Sequence, residues 1–168
     1  MNEHKTLAFS GHRPRSFDYS LESMSLKYAM LETRIADEIE KMIGDGYTRF
    51  ICGCAMGADI IFGEAVLNAR QGLQSDIELI CAVPFPGQAN SWPSGWRSRY
   101  ARLLLNSSEN IVLSPSYHKS CYHLRNRYMV DNSDALMAVW DGKPGGGTAY
   151  TVNYAHSHGK QVIIINPN

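Results

Sequence analysis

Apolar residues along the 168-residue chain recur in two alternating patterns. Short runs that are apolar almost throughout, such as Leu79-Ile80-Cys81-Ala82-Val83 and Val162-Ile163-Ile164-Ile165, suit strands covered on both faces. Strands are predicted over Thr6 to Ser10, Arg49 to Gly53, Ile77 to Val83, Asn110 to Ser114, Ala135 to Trp140 and Gln161 to Asn166. Between them the apolar spacing changes to three and four. Tyr28, Leu31, Ile35, Ile39 and Met42 predict a helix that Gly44 and Gly46 stop, and Ile61, Ala65 and Ala69 predict a second, ended by Gly72. Trp96, Tyr100 and Leu103 or Leu104 mark a third, Cys121, Leu124 and Tyr128 a fourth, and Ala149, Val152 and Ala155 a fifth, closed by Gly159. This alternation predicts an α/β fold, a three-layer sandwich around a mainly parallel sheet of about six strands with right-handed crossovers. The first strand is expected near the centre, flanked by the second and the fifth. No linker or repeat interrupts the pattern, and the length suits one domain over residues 1–168.

In such a sheet, ligands bind beyond the carboxyl ends of the strands. The first strand is followed by Gly11, His12 and Arg13, the second by Gly53, Met56, Gly57, Ala58 and Asp59, and the fifth by Asp141, Gly145, Gly146, Gly147 and Thr148. The triple glycine leaves N–H groups unobstructed at a helix start, where the dipole favours an anion, so it is read as a loop that binds phosphate or carboxylate rather than a flexible turn. Thr148 either caps that helix or binds a phosphate oxygen. Gly57 permits close backbone approach. Asp59 either accepts from a ribose hydroxyl or another loop, or simply complements a helix dipole.

Arg125 and Asn126 combine a bidentate phosphate donor with an amide for a base or ribose. Arg127, about 200° away from Arg125 on a helix, is assigned to a solvated face. Phe85, Trp92, Trp96 and Tyr100 are either base-stacking or packing aromatics, with packing preferred. Cys54-Ala55 interrupts a G-x-G-x-x-G pattern and Pro144 stands where a P-loop has Ser or Thr, which disfavours dehydrogenase and ATPase readings. Cys52-x-Cys54 could form one edge of a metal site, but no second pair or nearby His completes it. Cys52, Cys54, Cys81 and Cys121 are therefore expected to be buried free thiols, with no metal and no required cofactor.

Taken together, Ser10-Gly11-His12-Arg13-Pro14, Gly53-x-x-Met56-Gly57-Ala58-Asp59, the Cys121 to Asp134 segment with Arg125-Asn126-Arg127, and Asp141-Gly142-x-x-Gly145-Gly146-Gly147-Thr148 resemble the SLOG superfamily, and more narrowly its YpsA-like branch. The resemblance runs from Leu7 to Pro167. It implies a Rossmann-like fold and a pocket for a small-molecule nucleotide derivative of the nucleoside phosphate, NAD or ADP-ribose type. The DNA-processing protein DprA is similar at Gly11 to Arg13, Gly53 to Asp59 and Arg125 to Arg127. The LOG enzymes, which cleave the N-glycosidic bond of nucleoside monophosphates, are similar at Gly145 to Thr148. They carry an essential glutamate three positions after the threonine, where this chain has Thr151. A binding or sensing module is therefore preferred, with a LOG-like phosphoribohydrolase as the alternative and DprA-like single-stranded DNA binding as the second. Relatives in the superfamily often pair, so a homodimer is compatible with the resemblance.

Charge sharpens this choice. Sixteen Lys and Arg balance sixteen Asp and Glu, which argues against a protein that coats nucleic acid through its overall field. The balance is uneven: residues 84–130 carry six basic groups and one acidic group. This block contains Arg125, so a local basic site on a neutral protein is expected. No apolar run approaches the ~18 residues that span a bilayer, and the first residues are too polar for a secretory leader. A cytoplasmic protein without a membrane partner is expected.

Overall fold

The computed structural model describes residues 4–23, 25–72 and 76–168. Six parallel strands form one sheet: β1 (Lys5–Gly11), β2 (Tyr47–Cys52), β3 (Glu78–Val83), β4 (Glu109–Val112), β5 (Ala135–Val139) and β6 (Gln161–Ile165). Their spatial order is β4-β3-β2-β1-β5-β6. The chain thus steps from β1 out to one edge, returns to the other side of β1 and finishes at the opposite edge. Five helices connect the strands: α1 (Leu26–Gly44), α2 (Ala58–Gly72), α3 (Ser94–Asn106), α4 (Cys121–Asp131) and α5 (Gly146–Ser157).

The reversal at β1 divides the helices between the two faces, because each parallel crossover keeps the same hand. Leu7, Phe9, Phe50, Cys52, Leu79 and Met137 share a core with α1, α2 and α3. Ala8, Ile51, Ile80, Leu136 and Ala138 share the other core with α4 and α5. Alternate residues of one strand therefore serve opposite layers, which is why these strands read as continuous apolar runs. Phe9 stacks on Phe62 with ring centroids 4.2 Å apart. Complete burial of rings like these contributes about 1.5–3 kcal/mol each. This is the three-layer, Rossmann-like α/β arrangement that the sequence predicts.

Local signals set most boundaries. Ser25 caps α1, its Oγ accepting from the Tyr28 N–H at 3.1 Å, and the buried face of α1 is the predicted stripe. Strand ends shift by one or two residues. β2 begins at Tyr47 because that side chain is itself buried, and β4 ends at Val112 as an exposed edge strand. On α2 the buried residues run from Ala58 to Gly63 with Val66, while Ala65 and Ala69 are only partly covered. On α4 the predicted Leu124 stripe is corrected: Leu124 is 39% exposed, and Cys121, Arg125, Asn126, Met129 and Val130 face inward. The reason lies in the site that α4 borders. Among the described residues no helix is long and apolar enough to cross a membrane. Residues 1–3, on which the leader reading partly rests, lie outside them.

Candidate functional site

The carboxyl ends of β1 and β5 open into a crevice of about 680 Å³, within the usual range for small-molecule sites. Four segments line it. The loop after β1 provides Gly11, His12, Arg13 and Arg15; the β2–α2 connection provides Ala55 and Asp59. The α4 helix provides Tyr122, His123, Arg125 and Asn126, and the start of α5 provides Gly145, Gly146, Gly147, Thr148 and Tyr150. These segments meet because β1 lies between β2 and β5, at the point where strand order reverses.

Several sequence-selected residues stand behind this lining rather than in it. Gly53 offers its carbonyl to Arg125 Nη1 at 2.7 Å, and Ala58 N–H donates to the His12 carbonyl at 3.1 Å. Gly57 lies against that same carbonyl, and Met56 packs on the core. Asp141 is turned toward His12 and Lys143. Its Oδ1 lies 3.1 Å from His12 Nε2 and accepts from Lys143 N–H at 3.1 Å. The backbone N–H of Lys143, with further help from the Lys143 and His12 side chains, holds the Asp141 carboxyl at about 2. The Asp141 N–H also approaches His12 Nε2, at 3.2 Å. Asp141 therefore offers that ring nitrogen an acceptor when it carries a proton and a donor when it does not.

Asp59 braces two loops. It accepts from Gly11 N–H through Oδ1 at 3.1 Å and from Ala55 N–H through Oδ2 at 3.2 Å. Burial pushes its carboxyl up to about 7, against the opposing pull of Arg125 and the Ala55 N–H. The folded state therefore holds a proton that the unfolded chain, titrating near 4, releases. The resulting stabilisation is complete below about pH 4 and is lost as pH rises through 7. Urea unfolding at pH 5 and pH 8 should show a larger loss of stability in the wild type than in Asp59→Asn. Parallel losses in the two proteins would refute this role.

Arg125 is buried by α4 beside Gly53. Its Nε donates to Asn126 Oδ1 at 2.8 Å, and burial lowers its pKa while Asp59 raises it. The guanidinium groups of Arg13 and Arg125 stand over the Tyr122 ring, 5.1 and 5.9 Å from its centroid. Among the described residues no carboxylate forms an ion pair with Arg13, Arg15 or Arg125. The crevice thus presents cationic groups beside the α5 N-terminus, an arrangement suited to an anion. Gly145 takes the N-cap position, which places Thr148 within the first turn instead of at the cap.

The preferred packing role of the four aromatics agrees with the structure, whereas the source of the aromatic lining and of the positive charge does not follow from the sequence. The aromatic lining consists of Tyr122 and Tyr150, whereas Trp96 and Tyr100 are core residues, Trp92 packs on Tyr100, and Phe85 packs on Tyr117 and Tyr122. Tyr122 lies three residues before Arg125, a helical spacing that could have indicated a shared face. The basic block is also split. Arg97 and Arg102 are exposed on α3 and Arg99 forms a two-point pair with Glu64 at 2.8 and 2.7 Å, away from the crevice lining. Two of the three arginines that line the crevice, Arg13 and Arg15, come instead from the loop after β1.

Known proteins are similar to this chain in sequence and in fold. The family model described as YpsA, the YspA SLOG family, matches residues 7–167. A UPF0398 protein from Bacillus pumilus is 20% identical over 92% of this chain and 83% of its own length. The SPbeta prophage-derived protein YoqJ of Bacillus subtilis is 29% identical over 82% and 88% respectively. Among solved structures, DNA processing protein A from Helicobacter pylori, described by its single-stranded DNA binding mode, superposes with a TM-score of 0.61 at 16% identity. That match covers 96% of this chain and 65% of the longer protein.

Proposed function

The chain belongs to the YspA SLOG family, and from this premise we propose that it binds or senses a nucleotide-derived ligand of the nucleoside phosphate, NAD or ADP-ribose type. One observation carries the reading: Arg13, Arg15, Arg125 and the glycine-rich start of α5 converge on one crevice. Phosphate oxygens would accept from the N–H groups of Gly146 and Gly147, and from Arg13 and Arg125. A base would lie against Tyr122 or Tyr150. No required cofactor enters this scheme, and a homodimer is compatible with it. A cytosolic setting, where four free thiols stay reduced, fits the same reading.

A thermal-shift panel of nucleotides, NAD and ADP-ribose tests it directly. A true ligand at one hundred times its Kd stabilises the fold by about 2.7 kcal/mol. That should raise Tm by roughly 5–10 °C for a chain of this size. Absence of any shift with every phosphate-bearing compound at saturation overturns the reading. Gly146 has φ +82° and open space where a side chain would project. Gly146→Val should therefore lose the ligand-induced shift while lowering the unliganded Tm by only a few degrees. Undiminished affinity would remove the loop from the site.

The hydrolase alternative draws on Asp59, a carboxyl near 7 at the crevice wall. Both its oxygens are already engaged by backbone N–H groups, and Thr151 Oγ1 donates to the Gly147 carbonyl at 2.8 Å inside the protein. Binding without cleavage is favoured on that ground. Release of free base from a stabilising nucleotide would reverse the preference, and a salt-sensitive mobility shift with single-stranded DNA would support the DprA-like alternative.

A further inference from the structure

Outside the crevice, the sheet brings together three thiols that the sequence keeps apart. Cys52 at the end of β2 is the register partner of Cys81 on β3. Cys54, two residues after Cys52, turns back to the same side. The Sγ atoms of Cys52, Cys54 and Cys81 all lie within 4.8 Å of one another, and those of Cys52 and Cys54 are 3.4 Å apart. All three side chains are buried. Cys54 also has φ +52°, the one non-glycine residue with positive φ among the described residues. An L-residue adopts this conformation at a cost of about 1–2 kcal/mol, and here it directs a third sulfur at the other two.

We propose that Cys52, Cys54 and Cys81 form a three-coordinate thiolate site for a soft d10 cation of the copper(I) or silver(I) class. Metal–sulfur bonds of about 2.3 Å place three ligands in a plane about 4 Å apart, which lies between the 3.4 Å Cys52–Cys54 separation and the 4.8 Å within which all three sulfurs fall. The cluster includes no His or carboxylate. An all-sulfur donor set selects soft ions, and among the described residues no fourth His, Cys, Asp or Glu joins the group, which disfavours tetrahedral zinc. Helix α2 passes close to the cluster: a Cβ at Gly63 would lie 2.9 Å from Leu103 Cδ2 and 3.6 Å from Cys52 Sγ, so glycine is what lets the helix and Leu103 close over the thiols. Each thiol that ligates releases its proton to solvent, so uptake strengthens with pH.

Titration of the reduced full chain with silver(I), in chloride-free buffer against a competing chelator, should show one tightly held ion per chain. Cys81→Ser or Cys52→Ser should weaken retention by more than about 100-fold, with Cys121→Ser unchanged as the control. Copper-edge X-ray absorption of the copper(I)-loaded wild type should show three sulfur neighbours, a readout that requires no variant to fold. Undiminished silver binding by Cys81→Ser overturns the site. So does a nitrogen or oxygen ligand in the absorption spectrum, or tighter retention of zinc(II) than of silver(I).

Discussion

Arg125→Met is expected to destabilise the protein by about 3–5 kcal/mol at pH 8 and to abolish nucleotide-induced stabilisation. Methionine fills most of the space left by arginine but supplies neither charge nor donors. The Asn126 Oδ1 contact is lost, and the Gly53 carbonyl retains only Gln88 Nε2, at 3.2 Å. The largest loss is electrostatic, because Arg125 is the first cause that opposes the burial of Asp59. At pH 8 the wild-type carboxyl is mostly ionised, and without Arg125 that charge keeps only the Gly11 and Ala55 N–H groups and the weaker pull of Arg13. At pH 5 Asp59 is protonated and needs no compensating charge, so the cost of the substitution should be clearly smaller. Urea unfolding at both values measures the difference. Equal destabilisation at pH 5 and pH 8 would show that Arg125 acts by packing alone.

Gly57→Val is the second large effect, expected at about 2–5 kcal/mol, or a fall in Tm of roughly 5–15 °C. Gly57 has φ +110°, where a β-branched residue is strained. A Cβ at this position would sit 2.6 Å from the His12 carbonyl oxygen and 3.0 Å from Arg13 Cα. Both contacts are to backbone, which cannot rotate away as a side-chain end can. The substitution should also push His12 and Arg13 out of position and weaken ligand binding, although Gly57 does not line the crevice. A thermal melt and a ligand titration read the two effects separately. A melting temperature within about 2 °C of wild type would contradict the close approach.

The site was partly legible before the structure. The triple glycine before a helix, Asp59 in a first turn and the Arg125-Asn126 pair are local signals, and the fold gathers them in one crevice. Arg125 was separable from Arg127 by helical geometry alone, and Arg127 is indeed exposed. Other features depend on distant neighbours. The count of basic residues in 84–130 could not distinguish Arg99, neutralised by Glu64 on another helix, from Arg125, directed at the crevice. Tyr150 meets His123 with centroids 4.2 Å apart only because α4 and α5 share a layer.

The cysteines mark the same boundary. Their lack of disulfide spacing was visible in the chain, and all four are free and buried. That Cys81 joins the Cys52-x-Cys54 pair was not visible, since it depends on β2 pairing with β3 in one register. By itself the sequence determined the elements, the parallel sheet and the loops that carry chemistry, because apolar period, glycine placement and capping act over a few residues. The tertiary structure decided which charges remain unpaired, which aromatics face the crevice, where Asp59 titrates and which thiols converge. Those outcomes depend on burial and on separations of a few ångströms between segments far apart in the chain, and the crossing of strands and helices alone sets them.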